Sequence, residues 1–244
     1  MNRSPRFLFP AILTVLMLAV LLSLGTWQVN RLHWKLDKIA TIEGRKDAAP
    51  IGLKNAQDIA ALNEATHHYQ RASMRGRFGP QQGFWYTQMN NIPAGLPPQA
   101  RRGFHVLSPF YLADGGVILV DRGFVPSSLK ASLPPPSDAL QDIQLVLRWP
   151  DRRGAFDADD QPDENLFYVR DPQSMGAAWQ LDLPEVIGEL GATPAGQWPY
   201  GGQSRLVLSN NHLQYAVTWY GLAVVLVFIS GLWHIRAWKQ RQTK

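Results

Sequence analysis

Two long apolar segments, one near each end of the chain, constrain the fold more than any other feature. From Phe7 to Leu24 the sequence FLFPAILTVLMLAVLLSL carries no charge. As a helix with about 1.5 Å rise per residue it reaches roughly 27 Å, close to the hydrocarbon thickness of a bilayer. Ser23-Leu24-Gly25 resembles a small-x-small cleavage site, but the apolar run exceeds the roughly 7–15 residues of a signal-peptide core, so an uncleaved anchor is expected over 7–27. The second apolar segment runs from Tyr215 to Ile235 and is followed by Arg236, Lys239, Arg241 and Lys244. This predicts a second transmembrane helix over 213–235 and a basic cytoplasmic tail over 236–244. Two spans put both termini on one side; Arg3 and Arg6 agree, whereas Arg31, Lys35 and Lys38 dilute the bias. Residues 28–208 then form an extra-cytoplasmic domain. The short N-terminus lacks an Arg-rich amphipathic presequence, which points to a bacterial inner membrane and a periplasmic domain.

Of 244 residues, 45% are hydrophobic and 18% charged, enough for one domain with a real core beside the spans. The net charge of +5 collects around the apolar segments, and no Lys/Arg run or RNA-binding signature occurs, so nucleic acid is not an expected partner. The absence of cysteine excludes disulfides, thiolate metal sites, CxxC redox chemistry and covalent c-type haem attachment.

Between the spans the period is two. YQRASMRGRF (69–78), GFWYTQM (83–89), GFHVLSPFYL (103–112), GVILVDRGFVP (116–126), IQLVLRWP (143–150) and NLFYVRD (165–171) read as strands broken by Gly, Pro and Asp. Asp114-Gly115-Gly116 is a hairpin turn. Helical pieces are expected after Lys54 and after Asp171, which can cap PQSMGAAWQL. The fold class is therefore α+β: two transmembrane helices flanking a mainly antiparallel, curved or barrel-like β domain. Pro134-Pro135-Pro136 and DRRGAFDADDQPDEN (151–165) read as exposed loops, the latter a solvated acidic one, and no internal repeat is present.

The first span continues helically through GTWQVNRLHWKLDKIA, with Trp27 and Trp34 on one face as interfacial anchors and Arg31, Lys35 and Lys38 on another. No catalytic set emerges. Ser209 beside His212 is not a triad, there is no Gly-x-Ser-x-Gly elbow, and Ser209 or Asn210 suits a helix cap. His67-His68 point to opposite faces of an extended segment, His105 alternates along a strand, and His234 sits at an interface. The chain is not expected to be an enzyme.

His212 stands apart. It opens the second apolar segment in SNNHLQYAVTWYGLA, with Tyr215 and Trp219 at i+3 and i+7 on one helical stripe that can flank a flat aromatic ligand. A polar residue at the bilayer edge faces protein or water rather than lipid. The partial positive charge at a helix N-terminus suits a neutral imidazole, the form that ligates metals. Against this, Asn210, Asn211 and His212 can simply satisfy orphan N–H groups at the interface. The residues alone leave both readings open.

GTWQVNRLHWK near one end and NNHLQYAVTWYGLA at the other resemble the Surfeit locus protein one family, membrane-bound assembly factors for cytochrome c oxidase. The first block matches at Gly25, Trp27, Gln28, Arg31 and Lys35; the second at Asn210, Asn211, His212, Tyr215, Thr218, Trp219, Tyr220 and Gly221. A third block appears as DRGFVP, where Arg122, Gly123, Val125 and Pro126 agree but Asp121 and Phe124 replace Asn and Trp. The resemblance implies a non-enzymatic role in building a haem–copper oxidase, with haem a handled by bacterial members and their haem-linked histidine falling on His212. Implied partners are the lipid bilayer, oxidase subunit I, and other assembly factors or haem a synthase. On this reading His212 would ligate haem iron, Tyr215 and Trp219 would flank the ring, Trp27, Gln28 and Arg31 would complete the site, and Gly25 and Gly221 would permit close helix approach. The alternative is a haem-independent scaffold that docks nascent subunits through GFWYTQM; a membrane-anchored hydrolase is the third class.

Overall fold

A computed structural model describes residues 5–89, 98–150, 153–194, 196–202 and 210–242. Ser209 lies outside them. The chain divides into two compact units, one combining the helices up to Thr41 and from Val207 onward, the other lying between Ile42 and Leu206.

In the first unit, helix α1 runs unbroken over Pro5–Asp47, so the helix of the first span continues for some twenty residues past position 27. Good helix formers from Leu32 to Lys46 carry it on. The last helix, α5, covers His212–Gln242. Both are long and apolar enough to cross a membrane. The less exposed positions of the first helix are Thr14, Leu18, Leu21, Gly25, Gln28 and Leu32, and of the last His212, Ala216, Trp219, Ala223, Leu226 and Ser230. Their alternating steps of three and four mark a continuous packing seam on each helix. Thr14 Oγ1 meets Ser230 Oγ at 3.0 Å, Thr26 Oγ1 meets Tyr220 Oη at 3.1 Å, and Gln28 meets His212, so the helices run antiparallel. Small residues set the spacing: Ala216 and Ala223 are buried, and a Cβ on Gly25 would stand 2.8 Å from the Tyr220 ring. Gly221, expected to share this role, instead lies on the exposed side with open space around it.

The second unit is a barrel-like sheet. Its strands are β1 (Ile51–Leu53), β2 (Arg71–Phe78), β3 (Gly83–Gln88), β4 (Arg102–Leu112), β5 (Val117–Pro126), β6 (Gln141–Arg148), β7 (Leu166–Phe167) and β8 (Ile187–Leu190). Strands β2, β6, β8, β5 and β4 follow one another, and β4 pairs back onto β2 through Phe78↔Phe110, closing a ring. Strand β1 joins β2 in parallel, and β3 and β7 extend the sheet beyond β4. Alternate positions of β5 serve two cores, as the period of two requires. Ile118 and Val120 pack with Phe78, Phe110, Leu145 and Leu147, whereas Leu119 packs with Leu107, Phe167, Met175 and Ile187.

Short helices complete the unit: α2 (Ala56–Ala60), capped by Asn55; α3 (Glu64–His67), capped by Asn63; and α4 (Pro172–Trp179), capped by Asp171. The hairpin at Asp114-Gly115-Gly116 uses φ of +95° and +102° at its glycines. One strand expected from periodicity is shorter than its segment, and two further strands appear. The 165–171 segment contributes only Leu166–Phe167 to the sheet, because Asp171 leaves it to cap α4. Strands β1 and β8 were not anticipated.

In the loop after Pro150, residues 153–164 are exposed as expected apart from Asp160. Asp160 accepts from Arg153 Nη2 at 2.6 Å, Tyr168 N at 2.8 Å and Ser174 Oγ at 2.8 Å, tying the loop to β7 and α4. Burial alone would raise its carboxyl, but these donors hold it below the ordinary carboxylate value.

Candidate functional site

His212 is the first residue of α5, where Tyr215 N already donates to Asn211 O at 3.2 Å. Its ring Nδ1 lies 2.8 Å from Gln28 Oε1 on α1. Gln28 is 9% exposed, a buried amide on an otherwise apolar helix face. A carbonyl oxygen only accepts, so Nδ1 carries the proton and Nε2 of a neutral ring presents its lone pair. Among the described residues Nε2 makes no hydrogen bond.

Trp219 shares the seam with His212 two turns along, but Tyr215 does not: it is 55% exposed, on the flank of the helix. The expected stripe of three therefore splits into His212 and Trp219 inward and Tyr215 outward. Position i+4, not i+3, completes the packed line here, and Ala216 occupies it. Trp27 is 53% exposed, beside Gln28 in sequence but on the outer face. Arg31 stacks its guanidinium 4.4 Å from the Trp34 ring centre, and Lys38 Nζ lies 4.7 Å from the same ring on its other flank in sequence. The cations and Trp34 thus share a face rather than occupying separate ones, since i−3 and i+4 neighbours meet on a helix. The structure joins His212 to Gln28 and places Trp219 further along the same seam, while Tyr215, Trp27 and Arg31 are exposed.

A second polar constellation, inside the barrel unit, was not legible from motifs. Asp121 on β5 is 2% exposed and accepts from His105 Nδ1 on β4 at 2.7 Å and from Gly123 N at 2.9 Å. Arg170, 3% exposed, lies 3.8 Å from Asp121 and hydrogen-bonds Glu189 on β8, which also faces Arg148 Nε at 3.6 Å. Trp85 covers the group, with its ring centre 5.0 Å from the Arg170 guanidinium and 5.3 Å from the His105 ring. Burial would push the Asp121 carboxyl up, but His105, Arg170 and the Gly123 N–H outweigh it and hold it below its ordinary value. Ser108 pairs with Val120, one position from the Leu107–Asp121 pair, and so belongs to the opposite face of β4. Ser108 thus lies away from the His105–Asp121 pair, which joins β4 to β5 as a buried ionic contact. One sign was available in sequence: Asp121, Arg148 and Glu189 each interrupt an apolar strand.

The same joint accounts for the DRGFVP block. Gly123 has φ +119°, with the Tyr200 carbonyl 2.5 Å from where a Cβ would stand, and Phe124 exchanges backbone hydrogen bonds of 3.0 and 2.7 Å with Tyr200. Glycine is required there by conformation and space. Arg122 lies over Phe78 and donates to Gln82 Oε1 at 3.1 Å, and burial lowers its pKa to about 10. His67 and His68 have separate partners, Asn63 with Thr66 and Glu64 respectively. Among the described residues no three His, Cys, Asp or Glu side chains converge as metal ligands.

Comparison with known proteins agrees with the placement of these blocks. Residues 15–224 match the SURF1 family. Surfeit locus protein 1 of Mus musculus is 32% identical over 223 residues, covering 86% of this chain and 71% of that protein. Surfeit locus protein 1 of Gallus gallus is 34% identical over 218 residues, with coverages of 84% and 69%. A SURF1-like protein of Monosiga brevicollis is 33% identical over 223 residues, with coverages of 84% and 80%. With most of the first helix, the barrel strands and the start of the last helix, His212 included, inside the matched range, the chain belongs to the SURF1 family.

Proposed function

We propose that this chain is a membrane-bound assembly factor for a haem–copper cytochrome c oxidase, and that it holds haem a through His212 on the way to the catalytic subunit. The observation that carries the reading is the His212–Gln28 pair at the start of the last helix, which leaves one imidazole nitrogen available for an iron. A single neutral imidazole suits haem iron. The residues around it suit the rest of such a cargo: Trp219 offers an aromatic face in the seam, and Tyr215 and Trp27 offer exposed aromatic surface to an amphipathic macrocycle and its isoprenoid tail. Arg31, already stacked on Trp34, remains a cation on the same helix as Gln28 that suits a propionate.

No catalytic group is invoked: a carrier works by binding and release. The basic residues after the second span support an orientation with both termini cytoplasmic and the barrel unit in the periplasm of a bacterial inner membrane. Oxidase subunit I and a haem a synthase are the partners such a carrier requires.

Co-expression with haem a synthesis enzymes, purification of the full chain and a visible spectrum test the reading. The parent protein retains haem a and His212→Ala loses it; a haem-free parent, or equal retention by both proteins, overturns the ligand role. A second reading is favoured by the aromatic surface of β3 and β4. There Lys130 Nζ lies 4.5 Å from the Phe84 ring centre and 4.8 Å from that of Phe104, beside the exposed Tyr86. That surface suits docking of a nascent subunit without haem. Loss of oxidase assembly in Tyr86→Ala or Phe104→Ala, with no haem on the parent, would select it.

A further inference from the structure

Gln28 has a role distinct from touching cargo. Its carboxamide is buried in the α1 seam, and its oxygen meets His212 Nδ1 at 2.8 Å across 184 residues of chain. We infer that Gln28 is a positioning residue that fixes the His212 ring in its Nδ1–H tautomer and so keeps Nε2 unprotonated and turned outward from the Gln28 contact. The inference rests on the reading of His212 as an iron ligand, which it deepens by naming the ligating atom.

The chemistry follows from proton counting. A neutral imidazole has one N–H. With a carbonyl oxygen at Nδ1 that proton resides on Nδ1, and Nε2 can ligate without first losing a proton. If the carboxamide were turned end for end, its NH2 would donate to Nδ1, the ring proton would move to Nε2, and the outward nitrogen would be blocked. The two arrangements differ in which ring nitrogen bears hydrogen, a difference that is measurable without any cargo. Glutamine also holds the ring without adding charge to an apolar helix face, and its anchorage on α1 ties the orientation of an α5 side chain to the pairing of the two helices. Ligating imidazoles commonly have such a partner on their second nitrogen, and losing it weakens metal binding by roughly 10- to 100-fold.

The test uses the full chain in detergent with 15N-labelled histidine, at a pH where imidazole is neutral. The His212 signals are assigned by difference from His212→Ala. The parent shows Nδ1 protonated and Nε2 bare, and in Gln28→Leu the Nε2–H tautomer grows. Titration with hemin, followed by its absorbance, then weakens by roughly 10- to 100-fold in Gln28→Leu. A parent ring protonated on Nε2 overturns the inference while leaving the His212 ligand test to its own spectrum. Hemin binding lost in His212→Ala but unchanged in Gln28→Leu overturns the positioning role. Hemin binding unchanged in His212→Ala overturns the ligand reading on which both rest, even where the tautomer pattern is as expected.

Discussion

Asp121 is the buried carboxylate of the barrel unit that joins β4 to β5, accepting from His105 Nδ1 and Gly123 N with the Arg170 guanidinium 3.8 Å away. Its carboxylate is depressed relative to its ordinary value of 3.8, so its contribution to stability is fully present above that pH and is lost as pH falls through the folded value. Unfolding midpoints should therefore fall on acidification below about pH 4, and less steeply in Asp121→Asn. At neutral pH Asp121→Asn should cost about 3–5 kcal/mol, the range for removing one partner of a buried ion pair, as read by denaturant unfolding. An unchanged midpoint would mean that His105 and Arg170 find full compensation in Glu189. Single side chains also show where sequence reading stops. His212 and Gln28 were legible because they lie in two dense motif blocks. His105, Asp121, Arg170 and Glu189 were not, since each lies on a different segment and their meeting depends on strand register.

At the scale of elements, the helix pair makes a specific demand on Gly25. With a Cβ 2.8 Å from the Tyr220 ring, Gly25→Leu must push the helices apart or displace that ring from Thr26. The chain contains no cysteine, so Thr14→Cys with Ser230→Cys gives a background-free report: the hydroxyls stand 3.0 Å apart, and oxidation should cross-link the pair efficiently. Adding Gly25→Leu should reduce that yield several-fold, and an equal yield would show that the seam tolerates the bulk. The long alternating strands were readable from their period of two. Strands β1 and β8 were not: IGL and IGEL are too short to show alternation, and a glycine interrupts each. They are strands because neighbours in the closing sheet supply their hydrogen bonds, a cause that lies outside the segment itself.

For the whole molecule, two antiparallel spans require both termini on the same face of the bilayer. Reporters that work only in the cytoplasm, fused separately to the N- and C-terminus, should both be active, and one inserted in the 134–136 proline loop should be silent. Opposite signals from the two termini would exclude the paired arrangement of α1 and α5 in the membrane.

The Gln28–His212 contact also orders events in time. Gln28 leaves the ribosome early and enters the bilayer with the first helix, whereas His212 follows only after the entire barrel sequence has been made. The imidazole acquires its partner in the last step of biosynthesis, so a stalled or truncated nascent chain can present the first helix and even the barrel but not the paired site. A contact built this way exists only once the last helix has been made.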